Sequence, residues 1–176
     1  MAAMPYPVGT ITNEAGHLEI GGCDVIELAR EFGTPAYLFA VAEMRERARA
    51  YQKAFAAHTS RFEVLFASKA LPVTAAYRLF AEEGLSVDVA SGGELTMALT
   101  AGFDPAKIYM HGNNKTDVEL GLAGRAGVGH LIVDSFDEIE RCERVLVKDQ
   151  DVLIRVTPGI KPSTHSFIQT GQLDSK

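Results

Sequence analysis

The chain has 176 residues, of which 47% are hydrophobic and 23% charged, a balance typical of a globular protein with ample material for a core. Its net charge of −6 argues against nucleic acid as a partner, and no stretch approaches the roughly 20 apolar residues of a membrane span. The start of the chain lacks signal-peptide features. Cys23 and Cys142 have no CxxC spacing and no metal-ligand set around them, so we expect buried reduced thiols in a cytoplasmic protein.

The first 60 residues predict an irregular arm over 1–16, followed by short elements. These are a strand over 17–20, a helix over 25–32, a strand over 36–39 and a helix over 42–58. Asp24 is the candidate N-cap of the first helix, and Gly33 stands where that helix should end. The apolar face of the second helix comprises Met44, Ala48, Tyr51 and Phe55.

From residue 62 onward, apolar strand patterns alternate with helical ones. The predicted strands are 62–67, 85–89, 107–111, 130–133 and 152–156, and the predicted helices are 73–83, 92–101, 117–126 and 136–145. Such an alternation predicts βαβ units and a parallel sheet.

Three strand-to-helix turns contain an S/T-x-x-E capping box, in which the hydroxyl caps the helix and the glutamate reaches back. The three pairs are Ser91 with Glu94, Thr116 with Glu119, and Ser135 with Glu138. Glycines at the opposite turns, Gly84, Gly102 and Gly127 or Gly129, suit helix ends. Three capping boxes, each located just after a predicted strand, support the alternation of strands and helices.

Each predicted strand ends on a polar residue, and these residues are Lys69, Asp88, His111, Asp134 and Arg155. Because chemistry in parallel α/β folds is located at the carboxyl ends of strands, the five form a candidate site. Each also has a simpler explanation. The aspartates could serve local turns, His111 could be a satisfied core histidine, and Arg155 could pair with an acidic neighbour.

Lys69 lies at the end of a predicted buried strand. Loss of hydration there would favour the neutral, nucleophilic amine, although a long side chain that reaches solvent is an equally simple interpretation. The segment 112–116 lacks the glycine and the length of a P-loop, and no GxGxxG fingerprint or G-x-S-x-G elbow is present.

The segment 66–70 (FASKA) resembles the cofactor-lysine motif of fold-type III pyridoxal-phosphate decarboxylases. Other segments are similar to the diaminopimelate decarboxylase branch of that family. They are 31–37 (EFGTPAY), 88–95 (DVASGGEL), 111–115 (HGNNK), 133–135 (VDS) with Glu138 and Ile139, and the closing run 164–176.

The resemblance implies an α/β fold that is part of a (β/α)8 barrel of the TIM type, alanine racemase-like, with about five of eight βα units. Residues 1–40 would be an arm that packs on a second β domain, and 41–176 an incomplete barrel that binds the cofactor. Because relatives continue past Lys176, we expect the N-terminal portion of a decarboxylase, with little or no turnover of its own.

The resemblance also implies roles for residues. Lys69 would be the catalytic residue that binds pyridoxal 5'-phosphate, and Ala67, Asp88, His111 and Arg155 would be further cofactor-binding residues. The implied reaction, the last step of lysine biosynthesis, converts meso-2,6-diaminopimelate to L-lysine and CO₂ in a homodimer. Two alternatives stay open: a decarboxylase of the ornithine or arginine type, and a non-catalytic regulatory protein on the same scaffold.

Overall fold

The structure is a computed structural model that describes residues 6–146 and 149–159. The closing run 164–176 of the resemblance lies outside the described residues. The chain divides into two compact units, Met1–Phe62 and Glu63–Lys176. In the described stretches, no helix is long and apolar enough to cross a bilayer.

The first unit contains a small antiparallel sheet and two helices. Its elements are β1 (Ile11–Thr12), β2 (Leu18–Ile20), β3 (Cys23–Asp24), α1 (Val25–Phe32) and α2 (Val41–Ala56), and the sheet order is β1-β2-β3. The predicted bounds of α1 are confirmed. Its C-cap, Gly33, has φ +83°, which a side chain would disfavour, and donates its N–H to the carbonyl of Ala29.

Asp24 is the N-cap of α1, as predicted. Its carboxylate accepts hydrogen bonds from the backbone N–H groups of Ile26 and Glu27 and contacts the side chains of His17 and Asn13. Burial raises the pKa of Asp24, but these hydrogen bonds outweigh that effect and lower it to about 2.

Four expectations for this unit were wrong. Part of the arm is ordered, because the amide oxygen of Asn13 accepts backbone hydrogen bonds from Ala15 and His17 and turns β1 onto β2. The segment 36–39 has no regular secondary structure and pairs with no strand in the described part of the chain, and Tyr37 is 91% exposed. On α2, Tyr51 and Phe55 are exposed rather than buried. Cys23 is also exposed, since it lies at the tight turn between β2 and β3.

The second unit has the predicted alternation of strands and helices. Its elements are β4 (Leu65–Ala67), α3 (Thr74–Glu82), β5 (Ser86–Val89), α4 (Gly92–Ala101), β6 (Ile108–Met110), α5 (Asp117–Ala126), β7 (His130–Val133), α6 (Phe136–Val145) and β8 (Val152–Ile154). The five strands are parallel, in the order β4-β5-β6-β7-β8. The parallel sheet is therefore confirmed.

The strand order identifies the kind of α/β fold. Each new strand is added at the same side of the preceding one, and right-handed crossovers then place every connecting helix on the same face of the sheet. Consecutive helices indeed pack on one another. A doubly wound sheet would reverse its order at a switch point. Five parallel strands and the four helices between them, wound in one direction, are part of a (β/α)8 barrel.

The hydrophobic core of this unit lies between the sheet and its helices. Fully buried side chains on this side include Tyr77, Val87, Leu95, Ile108, Met110, Leu120 and Leu131. Burial of each large side chain contributes about 1.5–3 kcal/mol. The opposite face of the sheet, which corresponds to the interior of a barrel, is more open, since Leu65, Ala67 and Leu153 are exposed.

The capping hydroxyls are confirmed, because Ser91, Thr116 and Ser135 each accept the N–H of the glutamate three residues later. Only Thr116 and Glu119 complete a reciprocal box. The other two glutamates bond one residue further upstream. The N-cap residues Ser91 and Ser135 have φ near −154°, whereas Thr116 has φ −78°. This difference matters because φ sets the direction of the N-cap backbone N–H, which the glutamate of a capping box must reach.

Candidate functional site

Strand register places four of the five candidate residues on one face of the sheet. Asp88 pairs with Tyr109, Tyr109 with His130, and Ile132 with Leu153. Because side chains alternate between faces, residues two positions beyond Tyr109, Ile132 and Leu153 return to the same face as Asp88. These residues are His111, Asp134 and Arg155. The fifth residue, Lys69, lies on the turn that follows Ala67, the partner of Asp88, so all five residues lie at the carboxyl ends of neighbouring strands.

Asp88 and His111 form the first contact within this group. The Oδ1 atom of Asp88 lies 3.6 Å from Nδ1 of His111, and both side chains are partly buried. Asp88 Oδ1 and the other ring nitrogen of His111, Nε2, are buried atoms without a hydrogen-bond partner among the described residues. Such atoms are costly unless something polar satisfies them, so His111 is not the satisfied core histidine of the simpler interpretation.

Asp134 and Arg155 form the second contact. Nη1 of Arg155 lies 3.5 Å from Oδ2 of Asp134, and the backbone N–H of Arg155 continues the ladder by donating to Val133. The pairing with an acidic neighbour that the sequence left open is thus present. The contact also holds the guanidinium of Arg155 at the carboxyl ends of the strands, where it can donate hydrogen bonds to an anionic oxygen.

Lys69 lies on a 3₁₀ turn, Ser68–Ala70, that follows β4 directly. The expectation of a lysine at the end of a buried strand was wrong, because Leu65, Ala67 and Lys69 are all exposed. β4 is an edge strand among the described residues, with β5 as its only neighbour, and its interior face is open. No ion pair or hydrogen bond within the described chain joins Lys69 to the other four residues, so its amine is accessible.

Glu94 anchors the turn that carries Lys69, a role that sequence reasoning missed. Its Oε2 atom accepts hydrogen bonds from the hydroxyl of Ser68 at 2.8 Å and from the backbone N–H of Ala90 at 2.7 Å. Ser68 is fully buried. The carboxylate therefore joins the end of β4 to the end of β5, two residues beyond Asp88. Ser91-x-x-Glu94 signalled a helix cap, but not this contact across 26 residues.

A polar layer lies below the site on the same face. Oε2 of Glu63 accepts hydrogen bonds from the hydroxyls of Ser86 at 2.9 Å and Tyr109 at 2.7 Å, and the Tyr109 ring stacks on His130 with centroids 4.3 Å apart. Burial, together with the hydrogen bond and charge of Glu63, raises the pKa of Tyr109 to about 12. Sequence reasoning assigned none of these residues to the interior.

A buried ion pair adjoins the site. Nζ of Lys115 lies 2.7 Å from Oε1 of Glu138, and both side chains are almost completely buried. Sequence reasoning used Lys115 only within a motif and Glu138 only as a helix cap. No group of three or more His, Cys, Asp or Glu side chains in the described chain could hold a metal ion.

The chain is similar to known proteins both in sequence and in structure. Residues 41–176 match the model of the family described as pyridoxal-dependent decarboxylase, pyridoxal binding domain. Among curated proteins, the chain is 48% identical over 170 residues to a diaminopimelate decarboxylase of Bacillus methanolicus and 47% identical over 167 residues to that of Bacillus subtilis strain 168. The matches cover 95% and 93% of this chain but only 39% and 38% of those relatives.

A solved structure agrees with the sequence match. The crystal structure of diaminopimelate decarboxylase from M. jannaschii in co-complex with L-lysine superposes with a TM-score of 0.79 at 31% identity. It covers 90% of this chain, which spans 38% of that protein. This chain therefore belongs to the pyridoxal-dependent decarboxylase family and contains part of its pyridoxal-binding barrel.

Proposed function

We propose that the protein containing this chain decarboxylates meso-2,6-diaminopimelate to L-lysine and CO₂, with pyridoxal 5'-phosphate bound at Lys69. The observation that carries the proposal is that the sheet register brings Asp88, His111, Asp134 and Arg155 to one face at the carboxyl ends of the strands, next to the turn that contains Lys69. The relatives at 48% and 47% identity favour diaminopimelate over ornithine or arginine as substrate. An accessible amine at Lys69 favours an enzyme over a regulatory scaffold.

The residues present suit this cofactor. Lys69 offers an exposed primary amine for covalent attachment to an aldehyde. Asp88 Oδ1 and His111 Nε2 are buried atoms with unused hydrogen-bonding capacity on the same face. When bound, pyridoxal phosphate supplies an electron sink that makes loss of CO₂ feasible. The unsatisfied atoms of Asp88 and His111 would hold its polar groups.

The charged groups of the site have distinct tasks in this proposal. Arg155 would bind an anionic oxygen of the cofactor ring, and Asp134 holds its guanidinium in place at 3.5 Å. Ala67, which has only a methyl side chain, leaves room beside Asp88 for the ring. Glu94 keeps the turn of Lys69 fixed through Ser68. A fixed amine matters because catalysis by proximity is lost when reacting atoms are misplaced.

The proposal also covers the domain organisation, the assembly and the location of the protein. Residues 1–40 would form an arm that packs on a second β domain, and residues 41–176 would belong to the cofactor-binding barrel. The family match over 41–176 supports the second range. The working protein would be a cytoplasmic homodimer that acts on a small amino acid. Its negative charge of −6 supports the absence of a nucleic-acid partner.

Reductive labelling tests the cofactor assignment. The full-length product of the gene is incubated with pyridoxal phosphate, reduced with borohydride, digested and mapped by mass spectrometry. We expect the label on Lys69 and its loss in Lys69→Arg. Lys107→Arg is the matched control, because Lys107 is also exposed but lies before β6, at the opposite edge of the sheet, and bonds to the Gly84 carbonyl. Label on other lysines only would refute the assignment.

Release of CO₂ tests the substrate. The same protein is supplied separately with meso-diaminopimelate, ornithine and arginine, and labelled CO₂ is counted. We expect release from diaminopimelate alone, and none from the Lys69→Arg variant. Preferential release from ornithine or arginine would replace the substrate while retaining the chemistry. Labelling of Lys69 without release from any of the three would favour a non-catalytic role.

A further inference from the structure

The buried pair of Lys115 and Glu138 is unusual in a chain whose other described ion pairs are partly or largely exposed. Each residue is 2% exposed, and Nζ lies 2.7 Å from Oε1. Removing two charges from water costs more than the attraction between them commonly returns, so such a pair is a poor stabilising device. Its contacts suggest a different purpose.

The ammonium of Lys115 contacts two segments that end at the site. It donates hydrogen bonds to the carbonyl of Gly112 at 2.6 Å and to that of Ile132 at 2.8 Å. Gly112 directly follows His111, and Ile132 lies in β7, two residues before Asp134. The ammonium therefore donates hydrogen bonds to two carbonyls and forms an ion pair with one carboxylate. Lys115 thus joins the β6 loop to the end of β7.

Glu138 completes the connection from the other side. Its second oxygen, Oε2, accepts the backbone N–H of Asp134 at 2.9 Å, while Oε1 faces Lys115. The carboxylate thus holds the main chain of a site residue directly. Both contacts lie in a buried environment, where hydrogen bonds to charged groups are strong and directional.

Two pairs of the candidate site are coupled in this way. Asp88 contacts His111 at 3.6 Å, and Asp134 contacts Arg155 at 3.5 Å. The Lys115–Glu138 pair links the backbone beside His111 to the backbone of Asp134, so it lies between the two contacts. The distance between these two contacts is then set by the Lys115–Glu138 network rather than by two loops that move independently.

We propose that Lys115 and Glu138 are positioning residues, which hold His111 and Asp134 at the spacing that the bound cofactor requires. The proposal rests on the proposed function, because it takes pyridoxal phosphate as the ligand. Neither residue has to touch the cofactor. Their effect is transmitted through the carbonyl of Gly112 and the N–H of Asp134.

The decisive experiment separates positioning from stability. The variants are Lys115→Met, Glu138→Leu and the double variant, in the full-length product of the gene. Either single variant leaves one buried charge without its partner and should be clearly destabilised. The double variant replaces the pair with apolar groups of similar volume and should regain most of the lost resistance to urea. Arg144→Met is the matched control, because Arg144 joins α6 to α5 through an exposed contact with Asp117 at 3.0 Å.

Two measurements on the double variant decide the matter. The dissociation constant of pyridoxal phosphate, from titration of the cofactor-free protein, should stay raised roughly tenfold or more even where stability is regained. Amide exchange needs no cofactor, and it should accelerate relative to Arg144→Met at Asp134 and at His111, which adjoins Gly112 and whose N–H bonds to the Val89 carbonyl. Regained stability with wild-type affinity and wild-type exchange would overturn the proposal, since the pair would then be only a structural element.

Further arms keep the test decisive. If the double variant does not fold, Glu138→Gln is used, because its amide oxygen can still accept the N–H of Asp134 while the charge is lost. We expect amide exchange to accelerate more at His111 than at Asp134 in that variant, and wild-type exchange at both would overturn the proposal. If the wild-type protein binds no pyridoxal phosphate, the proposed function fails. The exchange arm then still tests whether the pair joins the two loops.

Discussion

Replacing Glu94 with alanine should destabilise the barrel segment by about 1.5–4.5 kcal/mol. The carboxylate accepts one hydrogen bond from the Ser68 hydroxyl at 2.8 Å and one from the Ala90 N–H at 2.7 Å. Ser68 is fully buried, and leaving its hydroxyl without an acceptor costs about 1–3 kcal/mol. The Ala90 N–H is near solvent, so water replaces its partner at a cost of about 0.5–1.5 kcal/mol.

A double-mutant cycle isolates the contact that matters for the site. The free energy of unfolding is measured by urea denaturation for the wild type, Ser68→Ala, Glu94→Ala and the double variant. We expect a coupling energy of about 1–2 kcal/mol, because the buried hydroxyl is unsatisfied only while Ser68 is present. We also expect weaker borohydride labelling of Lys69, since its turn loses the anchor at Ser68.

Ser91→Ala is the matched control. Ser91 caps the same helix, so its loss should cost about 1 kcal/mol. It makes no contact with Ser68, and its effect should therefore add to that of Ser68→Ala within about 0.5 kcal/mol. A coupling below about 0.5 kcal/mol between Ser68 and Glu94 would refute the reasoning. Glu94 would then be a helix cap and no more.

The two thiols should differ in reactivity, because Cys23 is exposed, whereas burial and the charge of Glu138 raise the pKa of Cys142. Alkylation at neutral pH, followed by mass spectrometry, should modify Cys23 roughly tenfold faster or more than Cys142, and equal rates would contradict the partial burial of Cys142. Asp24 should make α1 sensitive to acid. Its folded pKa of about 2 lies below the ordinary 3.8, so its contribution to stability is present above 3.8 and is lost as pH falls towards 2. Amide exchange within α1 should accelerate over that range, whereas Asp24→Asn, which keeps a capping oxygen but carries no charge, should remove the dependence. Persistence of the dependence in Asp24→Asn would assign it to another group.

Much of the second unit could be predicted because its signals are local. The bounds of α4, α5 and α6 follow from one N-cap hydroxyl and an apolar period each, and all three agree with the structure. The five candidate site residues followed from the rule that chemistry collects where parallel strands end. The register then assigns Asp88, His111, Asp134 and Arg155 to one face, whereas Lys69 lies on a 3₁₀ turn beyond its strand. Alternation within each strand is a property of the sequence, but the pairing between strands that brings these residues to the same face is seen only in the structure.

The errors have a common physical origin. Segment 36–39 has the composition of a strand, but a strand needs a neighbour, and none pairs with it in the described residues. Leu65 and Ala67 have the composition of a buried strand, yet they lie on an edge strand with an open interior face. In both cases the residue types favour a buried strand, but the surrounding described structure does not supply the neighbouring strand or the packing that would bury it.

Residue pattern alone determined the βα alternation, the helix caps and the identity of Lys69 as the residue to test, because each depends on neighbours within a few positions. Only the tertiary structure decided what Glu94, Lys115 and Glu138 do. Their contacts with Ser68, Ile132 and one another span 17 to 26 residues. A hydrogen bond requires two atoms within about 3 Å, and a capping motif does not reveal which distant loop will lie there. The order β4-β5-β6-β7-β8 brings neighbouring loops to one edge, where these side chains join them.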